Sequence, residues 1–125
     1  RDSLGTAPIE DAINQHPMVA ESAIVGFSHP IKGNALYGFI SLKPNLTKLE
    51  LENIKTEINN RIGKQIGPIA KLDKIQITAG LPKTRSGKIM RRILRKIANN
   101  DSSNLGDIST LLNPEVVESI KNNSI

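Results

Sequence analysis

The sequence predicts a small α+β domain, a three-stranded sheet covered by helices. Three observations point there. A chain of 125 residues fits one domain and leaves little room for two. Its apolar patterns run helix, two strands, helix, strand, helix and tail, an order that suits one mixed layer of sheet and helices. The apolar share of 38% and charged share of 23% are those of a globular chain.

Each element has a local reason. Pro8-Ile9-Glu10 opens a helix running to about His16, with Thr6 as candidate cap. Ile9, Ala12, Ile13 and His16 share one face, and Pro17 stops the helix. Ala20 to Phe27 is rich in small and β-branched residues and reads as a strand. Ser28-His29-Pro30 turns the chain, Lys32-Gly33-Asn34 suits a hairpin-like connection, and Ala35 to Leu42 is the second strand.

Thr47 and Glu50 have the spacing of a capping box. The following helix puts Leu51, Ile54, Ile58 and Ile62 on one stripe, and Gly63 is placed to end it. Lys71 to Thr78 is a short strand, and Leu81 to Gly87 a polar loop. Lys88 to Ala98 has a strong helical pattern, with Ile89, Ile93 and Ile97 on one stripe and Met90 and Leu94 beside it. Pro114 to Ile120 is a short terminal helix. The twelve Asn residues concentrate toward loops and helix ends and say little about chemistry.

The net charge of +5 is one local feature. Seven basic residues and no acid lie between Lys83 and Lys96, and the rest of the chain is slightly acidic. A local patch suggests one anionic partner: nucleic acid, a membrane, a nucleotide phosphate or an acidic protein face. With one Tyr, two Phe and no Trp, stacking platforms for bases are scarce, and the apolar stripe of the basic helix is needed to cover the sheet. A nucleic-acid-binding or protein-interaction module using residues 83–96 remains the alternative class, beside a packed helix with a solvated charged face. Cys is absent, which excludes disulfides, Cys metal sites and Cys nucleophiles.

Gly80-Leu81-Pro82-Lys83-Thr84-Arg85-Ser86-Gly87-Lys88 superficially resembles a phosphate loop. Six residues separate Gly80 from Gly87, and Ile89 stands where the magnesium-binding hydroxyl should be, so a nucleotide hydrolase is not expected. Lys88 nevertheless follows a flexible Gly at the start of a helix. It could donate to a carboxylate or phosphate oxygen as negative charge develops, or simply be solvated. His29 has no partner spaced for catalysis or metal binding, and His16 reads as a partly buried structural residue. Glu10 and Asp11 belong to the first helix; Glu50, Glu52 and Glu57 are surface positions.

Residues 80–98 resemble the C-terminal signature of acetyl-coenzyme A synthetase, in the adenylate-forming superfamily. Agreement extends to Leu4–Ala7 with Ile9-Glu10, His29–Tyr37, Ile66–Ala70 and Ser103–Leu111, the last similar to the tail of acetyl- and propionyl-CoA synthetases in particular. The resemblance covers essentially the whole chain. It implies the mobile C-terminal lid domain of those enzymes over residues 1–125, with 99–125 as a packing extension. Arg1-Asp2-Ser3 has neither an initiator Met nor the apolar core of a secretion signal, and a longer protein with a large N-terminal domain is expected, in the cytoplasm.

The resemblance also implies roles. Lys88 is the catalytic residue, reaching the carboxylate and the ATP phosphate while acetyl-adenylate and pyrophosphate form. The domain then rotates, coenzyme A attacks the adenylate, and acetyl-CoA and AMP result. Arg85, Gly87, Lys64 and Ser3 are implied at the nucleotide and coenzyme A, and Mg2+ at the large domain. The expected partners are that domain, acetate, ATP and CoA, plus a protein acetyltransferase and deacetylase acting on Lys88; neither nucleic acid nor a membrane is expected. Two departures stand out. The family commonly reads Gly-His-Arg before Leu4, so Ser3 takes the place of an Arg, by divergence or by a break in the chain. The Arg often found three residues before Ile66 is Gly63 here, leaving Arg61 or Lys64 to replace its contact to the coenzyme A phosphate.

Overall fold

A computed structural model describes residues 6–31, 33–44, 47–67, 72–101, 105–106 and 108–124. Along the chain run α1 (Ala7–Asn14), β1 (Val19–His29), β2 (Gly33–Leu42), α2 (Lys48–Gln65), β3 (Lys74–Thr78), α3 (Arg91–Ala98) and α4 (Glu115–Asn122). β1 and β2 form an antiparallel hairpin closed at His29 and Gly33. β3 adds parallel to β2, so the sheet order is β1-β2-β3 and α2 is the crossover between the parallel pair.

Strand alternation sends successive side chains to opposite faces of this sheet. Ala23, Val25 and Phe27 of β1 join Ala35, Tyr37 and Phe39 of β2 beneath α3 and α4. Ile24 and Ile40 point the other way, into a second core with Ile9 and Ile13 of α1 and Ile54, Ile58 and Ile62 of α2. The sheet is thus covered on both faces, as expected for a three-stranded sheet too small to stand alone. All three aromatic rings lie in the first core: Tyr37 stacks on Phe39 at 4.4 Å and meets Phe27 edge-on at 5.9 Å. The Tyr37 hydroxyl donates to Gln76 Oε1, and Gln76 Nε2 donates to the Ile120 carbonyl, which ties α4 to the sheet. A Cβ at Gly38 would lie 2.7 Å from Leu72 Cδ1, so the Leu72 side chain would have to shift to admit one.

Several boundaries differ from the sequence expectation. The Thr47–Glu50 capping box forms in full, at 3.1 and 2.8 Å. α2 nevertheless runs past Gly63 to Gln65, with Ile66 as its C-cap and Gly67, at a φ of +137° open to glycine, just beyond. Glycine weakens a helix interior by only about 1 kcal/mol, which the burial of Ile62 outweighs. Leu51 is 42% exposed while Ile54, Ile58 and Ile62 are fully buried. At about 100° per residue, Leu51 falls on the same side of Ile54 as Ile58 and Ile62, within the buried stripe, so its exposure reflects its place along the axis: the first turn of α2 lies ahead of the stretch that packs into the second core. α1 stops at Asn14, ahead of Pro17, and Thr6 is its N-cap without a side-chain hydrogen bond. β3 starts at Lys74, later than Lys71, which lies outside the described residues. Leu105, Leu111, Val117 and Ile120 from the tail are buried in the first core. Among the described residues no helix is long and apolar enough to cross a membrane.

Candidate functional site

The largest correction concerns Lys88, which lies in a tight turn ahead of the helix. α3 begins at Arg91, and residues 83 and 89 face each other as an antiparallel bridge. Thr84 N–H donates to the Lys88 carbonyl at 2.8 Å, and Met90 N–H donates to the Pro82 carbonyl at 2.8 Å. Those backbone groups therefore serve a hairpin, and the helical ladder starts only beyond Met90. Ile89 and Met90 still pack on the first core, so the apolar period in the sequence is real although its first members are extended.

The turn itself is closed by its own polar groups. Gly87 N–H donates to the Thr84 carbonyl at 2.9 Å. Thr84 Oγ1 accepts from Lys88 N–H at 3.1 Å and pairs with Ser86 Oγ at 2.9 Å. Gly87 has a φ of +92°, a conformation that a side-chain-bearing residue rarely adopts. Lys88, Arg85 and Gly87 are all exposed at the tip. The arrangement holds the backbone of the turn by hydrogen bonds and leaves the Lys88 side chain exposed.

The base of the turn is anchored on three sides. Lys83 Nζ pairs with Glu21 of β1 at 2.8 Å. Asn113 accepts from Lys83 N–H at 3.0 Å and donates to the Leu81 carbonyl at 2.8 Å. Arg91 grips both carboxylate oxygens of Glu10, which also accepts the Ile24 N–H of β1 at 2.8 Å. The sequence reading missed these anchors: Glu10 and Asn113 belong to residue types that are ordinarily solvated, and their partners are remote in sequence. Leu81, expected in a polar loop, is fully buried.

The basic patch is consequently divided. Lys83 and Arg91 form ion pairs, and Arg92 donates to the Leu105 carbonyl at 3.2 Å. Arg85, Lys88 and Arg95 are exposed and form no ion pair among the described residues. Lys83, Arg91 and Arg92 thus help to hold the fold together, and the turn carries two of the four exposed cations of the patch, Arg85 and Lys88.

Lys64 lies elsewhere. It is exposed on the last turn of α2, in the layer opposite α3, and lines a shallow depression of about 410 Å³ with His16, Glu57, Asn60, Arg61 and Gln65. Arg61 and Lys64 share this depression, so both replacements considered for the Arg missing at Gly63 are on one surface. His16 is buried, contacts Glu57 at 2.7 Å through Nε2 and accepts Met18 N–H at Nδ1. That network assigns its proton to Nε2 and a structural role to the ring. Ser3 lies outside the described residues. No group of three His, Asp or Glu that could hold a metal ion occurs among the described residues.

The fold agrees with comparison to known proteins. Residues 8–88 match the AMP-binding enzyme C-terminal domain family. The chain belongs to that family of adenylate-handling enzyme domains. Within it, the chain is similar to the acetyl-coenzyme A synthetase of Gamma-proteobacterium EBAC31A08, 58% identical over 120 residues, and to that of Bartonella quintana (strain Toulouse), 56% identical over 117 residues. These alignments cover 96% and 94% of this chain and 18% of each relative. The crystal structure of Brucella canis acyl-CoA synthetase is 36% identical with a TM-score of 0.66, over 74% of this chain and 17% of that one. The acetoacetyl-CoA synthetase of Streptomyces lividans shares the fold over 95% of this chain and 18% of that one, at a TM-score of 0.68 and 22% identity. The chain therefore spans under a fifth of the length of the relatives it matches.

Proposed function

We propose that residues 1–125 are the C-terminal domain of an AMP-forming acetate–CoA ligase, with 99–125 as its packing extension. A large N-terminal domain, outside this chain, supplies the acyl pocket, the ATP phosphate loop and the site of Mg2+. An acetate oxygen attacks the α-phosphorus of ATP, the bond to the β-phosphate oxygen breaks, and pyrophosphate leaves. Lys88 reaches across from the Thr84–Lys88 turn and donates to the carboxylate and phosphate oxygens, where charge develops. The domain then rotates and withdraws Lys88. The thiolate of coenzyme A attacks the adenylate carbonyl carbon, the bond to the AMP oxygen breaks, and AMP leaves with acetyl-CoA formed.

The observation that carries this reading is Lys88, exposed and without an ion pair among the described residues, on a turn whose base is anchored. A long flexible ammonium on a fixed support suits a contact made in one domain orientation and abandoned in the next. Arg85 and Gly87 accompany it at the nucleotide, while Lys64 or Arg61, on the opposite layer, would meet the coenzyme A phosphate in the second orientation. Placement on opposite layers supports two sites used in turn. Acetylation of Lys88 by a protein acetyltransferase would remove its charge and silence adenylation until a deacetylase restored it. The reaction belongs in the cytoplasm, where ATP and CoA are available.

The test is Lys88→Ala in the full-length protein, with the half-reactions assayed separately. Acetate-dependent pyrophosphate exchange should fall by about 100-fold or more, and thioester formation from supplied acetyl-adenylate should fall far less. Unchanged exchange would remove Lys88 from this role.

A further inference from the structure

We propose that Asn113, in the tail just before α4, is a positioning residue for the Lys88 turn. This rests on the reading of Lys88 given above and extends it to a residue remote in sequence. Residues 81–84 are the middle strand of a miniature ribbon. On one side, the Pro82 carbonyl and Thr84 N–H face the arm that carries Lys88 and Met90. On the other side, the Leu81 carbonyl and both backbone groups of Lys83 face the tail: Asn113 Nδ2 donates to Leu81 O, Lys83 N–H donates to Asn113 Oδ1, and Leu112 N–H donates to Lys83 O at 2.9 Å. The Asn113 carboxamide, with one acceptor and one donor, substitutes for a strand partner at two successive outward-facing groups.

The support under Asn113 is firm. Leu111 and Val117 on either side of it are buried in the first core. The Asn113 carbonyl accepts Val116 N–H at 3.1 Å, opening α4. The tail thus transmits the position of the core to the base of the turn. The other side-chain anchor at Lys83 is the ion pair to Glu21, formed by two side chains about one-quarter exposed. A long ammonium bonded to a carboxylate tolerates a range of angles, whereas a carboxamide paired to two backbone groups fixes direction. Asn113 should therefore determine where the turn points, and with it the reach of Lys88, without touching substrate.

The experiment uses the full-length protein with Asn113→Ala, Lys88→Ala and the double variant. Asn113→Ala should lower the kcat of acetate-dependent pyrophosphate exchange by about 10- to 100-fold with little change in KM, the cost of a small misplacement of a reacting group. Thioester formation from supplied acetyl-adenylate should be retained, which also reports that the protein is folded. In the Lys88→Ala background Asn113→Ala should cost nothing more, because the group being positioned is gone. Tryptic cleavage after Lys83, Arg85 and Lys88 should accelerate in Asn113→Ala. Should that variant fail to fold, Asn113→Asp, which keeps the acceptor for Lys83 N–H, is read in the same way. Unchanged adenylation in Asn113→Ala, equal losses in both half-reactions, or full additivity with Lys88→Ala overturns the proposal. Wild-type adenylation by Lys88→Ala overturns the reading beneath it, so the two failures are distinct.

Discussion

Arg91 donates to both carboxylate oxygens of Glu10, joining the first residue of α3 to α1 across 81 positions of sequence. Glu10 is the better buried partner, at 9% side-chain exposure against 40% for Arg91. Its Oε2 also accepts the Ile24 N–H of edge strand β1. One carboxylate therefore serves a helix, a strand edge and the start of the helix that follows the Lys88 turn.

Glu10→Ala leaves the Ile24 N–H without its acceptor, and water recovers only the exposed part of Arg91. We expect a loss of about 2 kcal/mol, seen as a lower urea midpoint at unchanged m-value. Glu10→Gln keeps an acceptor for Ile24 and should lose about half as much. Equal midpoints for wild type and Glu10→Ala would show that the pair contributes nothing net.

Thr47→Ala removes the side chain that accepts Glu50 N–H and half of the reciprocal box. Thr47 is exposed, so little else is lost. The expected cost is about 1 kcal/mol by urea unfolding, with Thr47→Ser close to wild type. A cost for Thr47→Ser equal to that of Thr47→Ala would place the effect in the methyl group and not in the cap.

Gly87→Ala separates backbone strain from steric clash, because a Cβ there meets nothing within 4 Å. The φ of +92° alone opposes the substitution, by about 1–2 kcal/mol confined to an exposed turn. The turn should relax and displace Lys88. Pyrophosphate exchange by the full-length protein should therefore fall clearly, while the urea midpoint falls by no more than that strain allows. Retained exchange would mean that Lys88 reaches its target from a relaxed turn.

Much of the architecture was legible because it is written in local periods. The buried stripe at Ile54, Ile58 and Ile62 and the capping box before it are decided within one helix. The alternation in β1 and β2 separates Phe27 from Ile24 without reference to anything distant. The Lys88 turn was misread as the first turn of a helix for a specific reason. Ile89 continues the spacing of Ile93 and Ile97, and a core contact looks the same in one dimension whether the backbone is coiled or extended. Only the partners of Thr84 and Met90 separate the two.

By itself, the sequence determined the order of elements, the apolar stripes of the helices, the concentration of positive charge at residues 83–96 and the signature that points to Lys88. These depend on neighbours within a few residues, which a chain carries with it into any environment. Tertiary structure decided which of those cations are spent on the fold and which are left at its surface. It also paired Glu10 with Arg91 and put Asn113 against the base of the Lys88 turn. Such choices arise when remote segments meet, because a buried carboxylate or backbone carbonyl must find its partner wherever packing brings one within about 3 Å.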